Sequence, residues 1–63
     1  MITYLSNRSY DFAKGTNIIE IACLSTDTKP TTGVATGSIA LEVNTGKIYA
    51  FDEVSGNWSE LSA

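Results

Sequence analysis

The chain has 63 residues, a net charge of −3 from seven acidic and four basic side chains, and 43% apolar residues, among them three tyrosines, two phenylalanines and one tryptophan. That length allows one domain, which buries only about 60% of its unfolded surface and is marginally stable by itself. A single cysteine, Cys23, and the lack of histidine exclude an intrachain disulfide and a thiolate–imidazole zinc centre, which leaves self-association or docking onto a larger assembly as the stabilising device.

Residues 1–5 (Met-Ile-Thr-Tyr-Leu) read as a first strand, since β-branched and aromatic side chains suit a pleated surface. Ser6-Asn7-Arg8-Ser9 reads as a polar turn. Residues 10–14 fit two descriptions: Tyr10 and Phe12 alternate as in a strand, while Ser9 stands where it would cap one helical turn. Gly15 ends either one. Residues 17–24 form the strongest strand of the first half. Ile18, Ile19, Ile21, Ala22, Cys23 and Leu24 are interrupted only by Glu20, and such a run reads as a strand covered on both faces. Residues 25–37 are a connection rich in Thr, with Pro30 and Gly33 as breakers and Val34 and Ala35 as apolar anchors. A connection of that length is expected to lie across the surface, contact a partner or be mobile.

The strongest signal is a hairpin formed by residues 38–43 and 47–52 around Asn44-Thr45-Gly46. A three-residue loop with Gly46 in the left-handed position of a bulge would set Val43 opposite Lys47, Leu41 opposite Tyr49 and Ile39 opposite Phe51. Ile39, Leu41, Val43, Tyr49 and Phe51 would then share one face, and Ala40, Glu42, Ile48 and Ala50 the other. A two-residue loop would pair Ile39 with Asp52 and mix apolar with charged positions. Asp52 to Asn57 supplies a second turn, and residues 58–61 return as a last strand with a bulge or fraying at its end. No internal repeat is evident. The pattern predicts an all-β domain over residues 1–63: a small antiparallel β-meander, sandwich- or barrel-like, of four to six short strands.

Chemistry is hard to place on this chain. Nucleophilic catalysis lacks an activating histidine, and Cys23 in its apolar run reads as a small buried hydrophobe. Asp52 and Glu53 are adjacent, so on a strand they diverge. Gly46-Lys47 lacks the upstream glycine and downstream hydroxyl of a phosphate loop, because Leu41 and Ile48 stand there. No catalytic residue, cofactor or metal ligand is therefore expected. Arg8, Lys14, Lys29 and Lys47 are scattered, which argues against nucleic acid as a partner. No apolar run reaches the roughly 20 residues that span a bilayer, so no membrane is expected. With no signal-like N-terminus the chain reads as a complete small protein of a reducing cytoplasm, and the glycosylation sequons at Asn7 and Asn57 read as chance. The expected interaction residues are Val34 and Ala35 of the connection, the small Ala40 and Ala50, which invite close approach by another layer, and Trp58 on the short last strand.

Gly37-Ser38, Glu42, Thr45-Gly46-Lys47, Tyr49, Phe51-Asp52 and Trp58 together resemble a β-hairpin motif in small structural proteins of tailed bacteriophages and prophages. The resemblance covers residues 25–61. It implies a non-enzymatic virion component, made in the host cytoplasm: a capsid decoration or head-fibre protein, or part of the neck or tail. Such a component would form homo-oligomers and bind other virion proteins. The alternative expectation is a small phage-encoded inhibitor that binds a host protein.

Overall fold

The computed structural model describes residues 1–61. It holds five strands, β1 (Thr3–Asp11), β2 (Thr16–Cys23), β3 (Ile39–Glu42), β4 (Lys47–Asp52) and β5 (Asn57–Glu60), and no helix among the described residues. All five lie side by side, in chain order, in one sheet. The protein is all-β, a small meander. The β1–β2, β3–β4 and β4–β5 pairs are antiparallel, and β2–β3 is parallel. That parallel step explains the long connection. Parallel neighbours cannot be joined by a tight turn and need a crossover of about a dozen residues or more, which residues 24–38 supply.

Each antiparallel pair closes through a four-residue loop, at residues 12–15, 43–46 and 53–56. An acidic residue precedes each loop (Asp11, Glu42, Asp52), and a glycine with φ of 70°, 74° or 71° ends it. The Gly46 and Gly56 N–H groups each donate to the carbonyl four residues back, at 2.8 Å. Asp11 accepts the N–H groups of Ala13 and Lys14, and Asp52 accepts that of Val54. The acid-x-x-x-Gly pattern is thus a repeated local solution to chain reversal, although the sequence reading finds no repeat.

The longer loop changes the expected hairpin register. Ile39 pairs with Ala50, Ala40 with Tyr49, Leu41 with Ile48 and Glu42 with Lys47, while Val43 belongs to the loop. A shift of one residue exchanges the faces of a strand. Tyr49 and Phe51 keep their inward place, but Ile39 and Leu41 lie on the other side. Ala40 and Ala50 do not share a face. What makes this register tolerable is the local chemistry of Glu42, described below: its carboxylate sits on the inner side fully bonded, so charge does not prevent its burial.

Other expectations are resolved as well. Ser6-Asn7-Arg8-Ser9 is not a turn, and of the two descriptions open for residues 10–14 the strand holds for Tyr10 and Asp11, with the loop of residues 12–15 following. β1 runs through to Asp11, since pairing with β2 outweighs the weak strand preference of Ser and Asn. Two bulges, with Leu5 and Tyr10 as the extra residues, take up the slack. Nor is β2 covered on both sides: Ile19, Ile21 and Cys23 are buried, Ile18 and Ala22 half-buried, and Glu20 exposed. β5 pairs regularly with β4 from Asn57 to Glu60, with no bulge.

The core lies on one side of the sheet. Ile19, Ile21, Val34, Ala40 and Phe51 are buried together, with Ile2, Tyr49 and Trp58 packed against them. Phe51 and Trp58 meet with ring centroids 5.2 Å apart and planes tilted by 60°, a favourable aromatic arrangement. The connection roofs this side. Its Pro30 carbonyl accepts the Trp58 indole N–H at 2.9 Å. Val34 then runs beside Asn17 as a short parallel bridge, with N–H···O bonds of 2.9 and 2.8 Å on either side. The segment is held across the surface by these bonds, one of the arrangements expected for it.

Candidate interaction surface

The side opposite the roof is apolar as well. The registers place Ala22, Leu41 and Ile48 in one row across β2, β3 and β4. Leu61 extends the row, its N–H donating to the Ile48 carbonyl at 2.7 Å. The next row runs Ser6, Glu20, Ile39, Ala50, Ser59, and Arg8 lies beside Ile18 in a third. Leu41, Ile48 and Leu61 are 37%, 40% and 62% exposed. A side chain inside a sheet is flanked by its row neighbours, so such values describe a face covered from the sides and open from above. The face therefore retains apolar area in contact with water, worth about 25 cal/mol per Å² if covered.

The two edges are less suited to pairing. β1 is long, but its bulges at Leu5 and Tyr10 break the ladder geometry a neighbouring strand would need. β5 has only four residues. The loops bear three further exposed apolar side chains, Phe12, Val43 and Val54.

Of the interaction residues expected from sequence, Val34, Ala35 and Ala40 are buried within the subunit, so none of them offers surface. Trp58 is half-buried against Phe51 and bonded to Pro30. Ala50 alone of the five lies on the open face. Ile39, Leu41 and Ile48 are not among the interaction residues that the sequence pattern points to, and Leu61 enters there only as the end of the last strand. The sequence pattern sets Ile39 and Leu41 on the core face with Tyr49 and Phe51, and Ile48 on the other with Ala50; the one-residue shift in register moves Ile39 and Leu41 to the face of Ile48 and Ala50.

The charged groups on the roofed side are bonded within the chain. Lys29 Nζ lies 2.7 Å from Glu42 Oε2 and 4.4 Å from the centre of the Tyr49 ring. Thr45 Oγ1 donates to Glu42 Oε1 at 2.8 Å. Those bonds from Lys29 and Thr45 hold the Glu42 carboxyl below its ordinary pKa. Burial works against the Lys29 charge, but the hydrogen bond and field of Glu42 outweigh it and raise the Lys29 pKa. The Met1 ammonium meets Asp27 at 2.7 Å, and that bond, with the Leu24 N–H, lowers the Asp27 pKa. Burial pushes the Cys23 thiol up, away from the reactive thiolate.

Among the described residues no group of three metal-ligating side chains gathers, no pocket indents the surface, and no helix is long and apolar enough to cross a membrane. The arrangement can bury apolar area against another surface, and that is the chemistry it offers. No protein-family model, curated protein or solved structure matches the chain.

Proposed function

We propose that this chain is a non-enzymatic structural protein of a bacteriophage virion, working by self-association and by binding neighbouring structural subunits. The observation that supports the reading is a one-layer sheet roofed on one side and bare and apolar on the other. Small domains enclose a core between layers; the connection covers one side of this sheet, and a cover for the other side would come from a neighbouring subunit. The resemblance of residues 25–61 to small phage structural proteins supplies the setting.

The test is quantitative recovery of the protein with assembled particles of a phage or prophage that encodes it. A fixed copy number per particle, resistant to high salt, is the expected result. Absence from particles, together with stable one-to-one capture of a host protein, would favour an inhibitor and end the structural reading.

A further inference from the structure

Resting on that reading, we propose that the open face is covered by the same face of a second copy, so that two five-stranded sheets form a two-layer sandwich between subunits. Ile39, Leu41, Ile48 and Ala50 are the centre of this interface, and Ala22 and Leu61 continue it to either side.

Four observations select this occupant. The first is size. The subunit measures 35 × 22 × 15 Å, so its broad face is one sheet wide. An outline of 35 × 22 Å is of the scale of a standard interface, which takes about 800 Å² from each partner. The second is layer geometry. Two sheets pack face to face about 10 Å apart with strands nearly aligned, and an identical sheet has the matching twist. Its alternating large and small residues, Leu41 beside Ala22 and Ile39 beside Ala50, allow the layers to interlock.

The third is charge. In the three rows the ionised groups are Arg8, Glu20 and, two residues beyond Ala50 on β4, Asp52; none of the three makes an ion pair within the subunit among the described residues. The face carries only −1 of the chain's −3, and Asp52 lies at its margin beside the second turn, so repulsion between two copies at the apolar centre is small. A two-fold contact presents each Arg8 to a surface that also carries a Glu20. The fourth is exclusion. The bulged β1 and the short β5 disfavour joining sheets edge to edge, so association through the flat face is the route left to a self-complementary partner.

Sedimentation velocity across a concentration series, with Leu41→Lys and Ile48→Lys beside the loop-tip controls Phe12→Ser and Val54→Ser, tests the interface. The wild type and both controls should form a dimer. Each lysine variant should weaken it about tenfold or more, as for a central interface residue. Far-UV circular dichroism checks that the variants fold. In case they do not, isotope-filtered nuclear Overhauser spectra on mixed labelled and unlabelled wild type should give contacts between methyl groups of Leu41, Ile48 and Ile39 of different subunits. A dimer that ignores both lysines and shows no such contacts overturns the proposal. So does a wild-type monomer at millimolar concentration. In either case, fixed-stoichiometry recovery with particles would keep the structural role, whereas its absence would remove that as well.

Discussion

The hydroxyl of Ser38 accepts the backbone N–H of Ile19 at 3.0 Å, across a sequence separation of 19 residues. Both residues are buried. Between Val34, which bridges to Asn17, and Ile39, which pairs with Glu20, the connection leaves β2, and the Ile19 N–H is met by a side chain rather than by a backbone carbonyl. The side chain of Ser38 fills that gap and donates its own hydrogen bond to the Ala35 carbonyl at 2.9 Å. Its backbone also bonds outward, accepting the Phe51 N–H at 3.0 Å. One small residue thereby joins β2, the connection and β4.

Ser38→Ala should be disproportionately harmful for so small a change. It leaves a buried N–H without an acceptor, a loss of about 1–3 kcal/mol. Urea unfolding should show a lower midpoint with an unchanged slope, the mark of a loss of stability without a change in the surface exposed on unfolding. A midpoint equal to wild type would mean that another acceptor reaches Ile19.

The Lys29–Glu42 pair should behave as a buried pair, not a surface one, because both side chains are nearly covered. Lys29→Met alone leaves the Glu42 carboxylate without its main partner and should lower the thermal midpoint markedly. The double variant Lys29→Met, Glu42→Leu should recover much or all of the loss, since apolar replacement of a whole buried pair is often neutral. Differential scanning calorimetry of the two variants decides it; equal losses would show that the pair itself is stabilising.

The same pair sets the expected response to pH. Glu42 has its pKa lowered from 4.5 in the folded chain, so between the two values the unfolded chain binds more protons. Its stabilising contribution is complete above about pH 4.5 and is lost as pH falls through the lowered value. Asp27, lowered from 3.8, acts in the same direction. Lys29 is raised from 10.5; its contribution is present below that value and disappears as pH rises through the raised one. Thermal midpoints should therefore be level from neutrality down to pH 5, then fall. Glu42→Gln should start lower and show a shallower acid limb; a limb as steep as that of wild type would place the acid sensitivity elsewhere.

Gly46 holds φ at +74°, and a Cβ built there meets no atom within 4 Å. The cost of a side chain is therefore confined to the backbone. Gly46→Ala should lose about 1–2 kcal/mol, and Gly46→Asn less, because Asn tolerates the left-handed region. Equal losses for the two in chemical denaturation would point to a different loop conformation.

Cys23 should be silent to thiol reagents in the folded protein. Its side chain is buried and its pKa is raised by that burial. Modification by an aromatic disulfide reagent should become rapid only as urea opens the chain, with a rate that follows the unfolded population. Fast labelling in native buffer would show that the sheet opens locally at β2.

Much of this architecture is legible in the residues. Strand tendency, the hairpin pivoting near Gly46, the second turn at residues 53–56 and the place of Trp58 on a final strand all follow from local chemistry, because turns and strand propensity are decided within a few residues. The fate of the polar residues 6–9 was not legible, since it was settled by β2 alongside.

The inner and outer faces of β3 were decided only in the fold. Ile39 and Leu41 form one alternate set, Ala40 and Glu42 the other, and hydrophobicity favours the first for the core. The opposite occurs because Lys29, brought over the sheet by a crossover of residues distant in sequence, neutralises Glu42, while Ala40 leaves room for Tyr49 and Phe51 on the same side. By its alternation alone the sequence determined that both faces would be apolar. Which one the chain would roof, and which it would leave for another surface, depended on long-range contacts that no local pattern encodes.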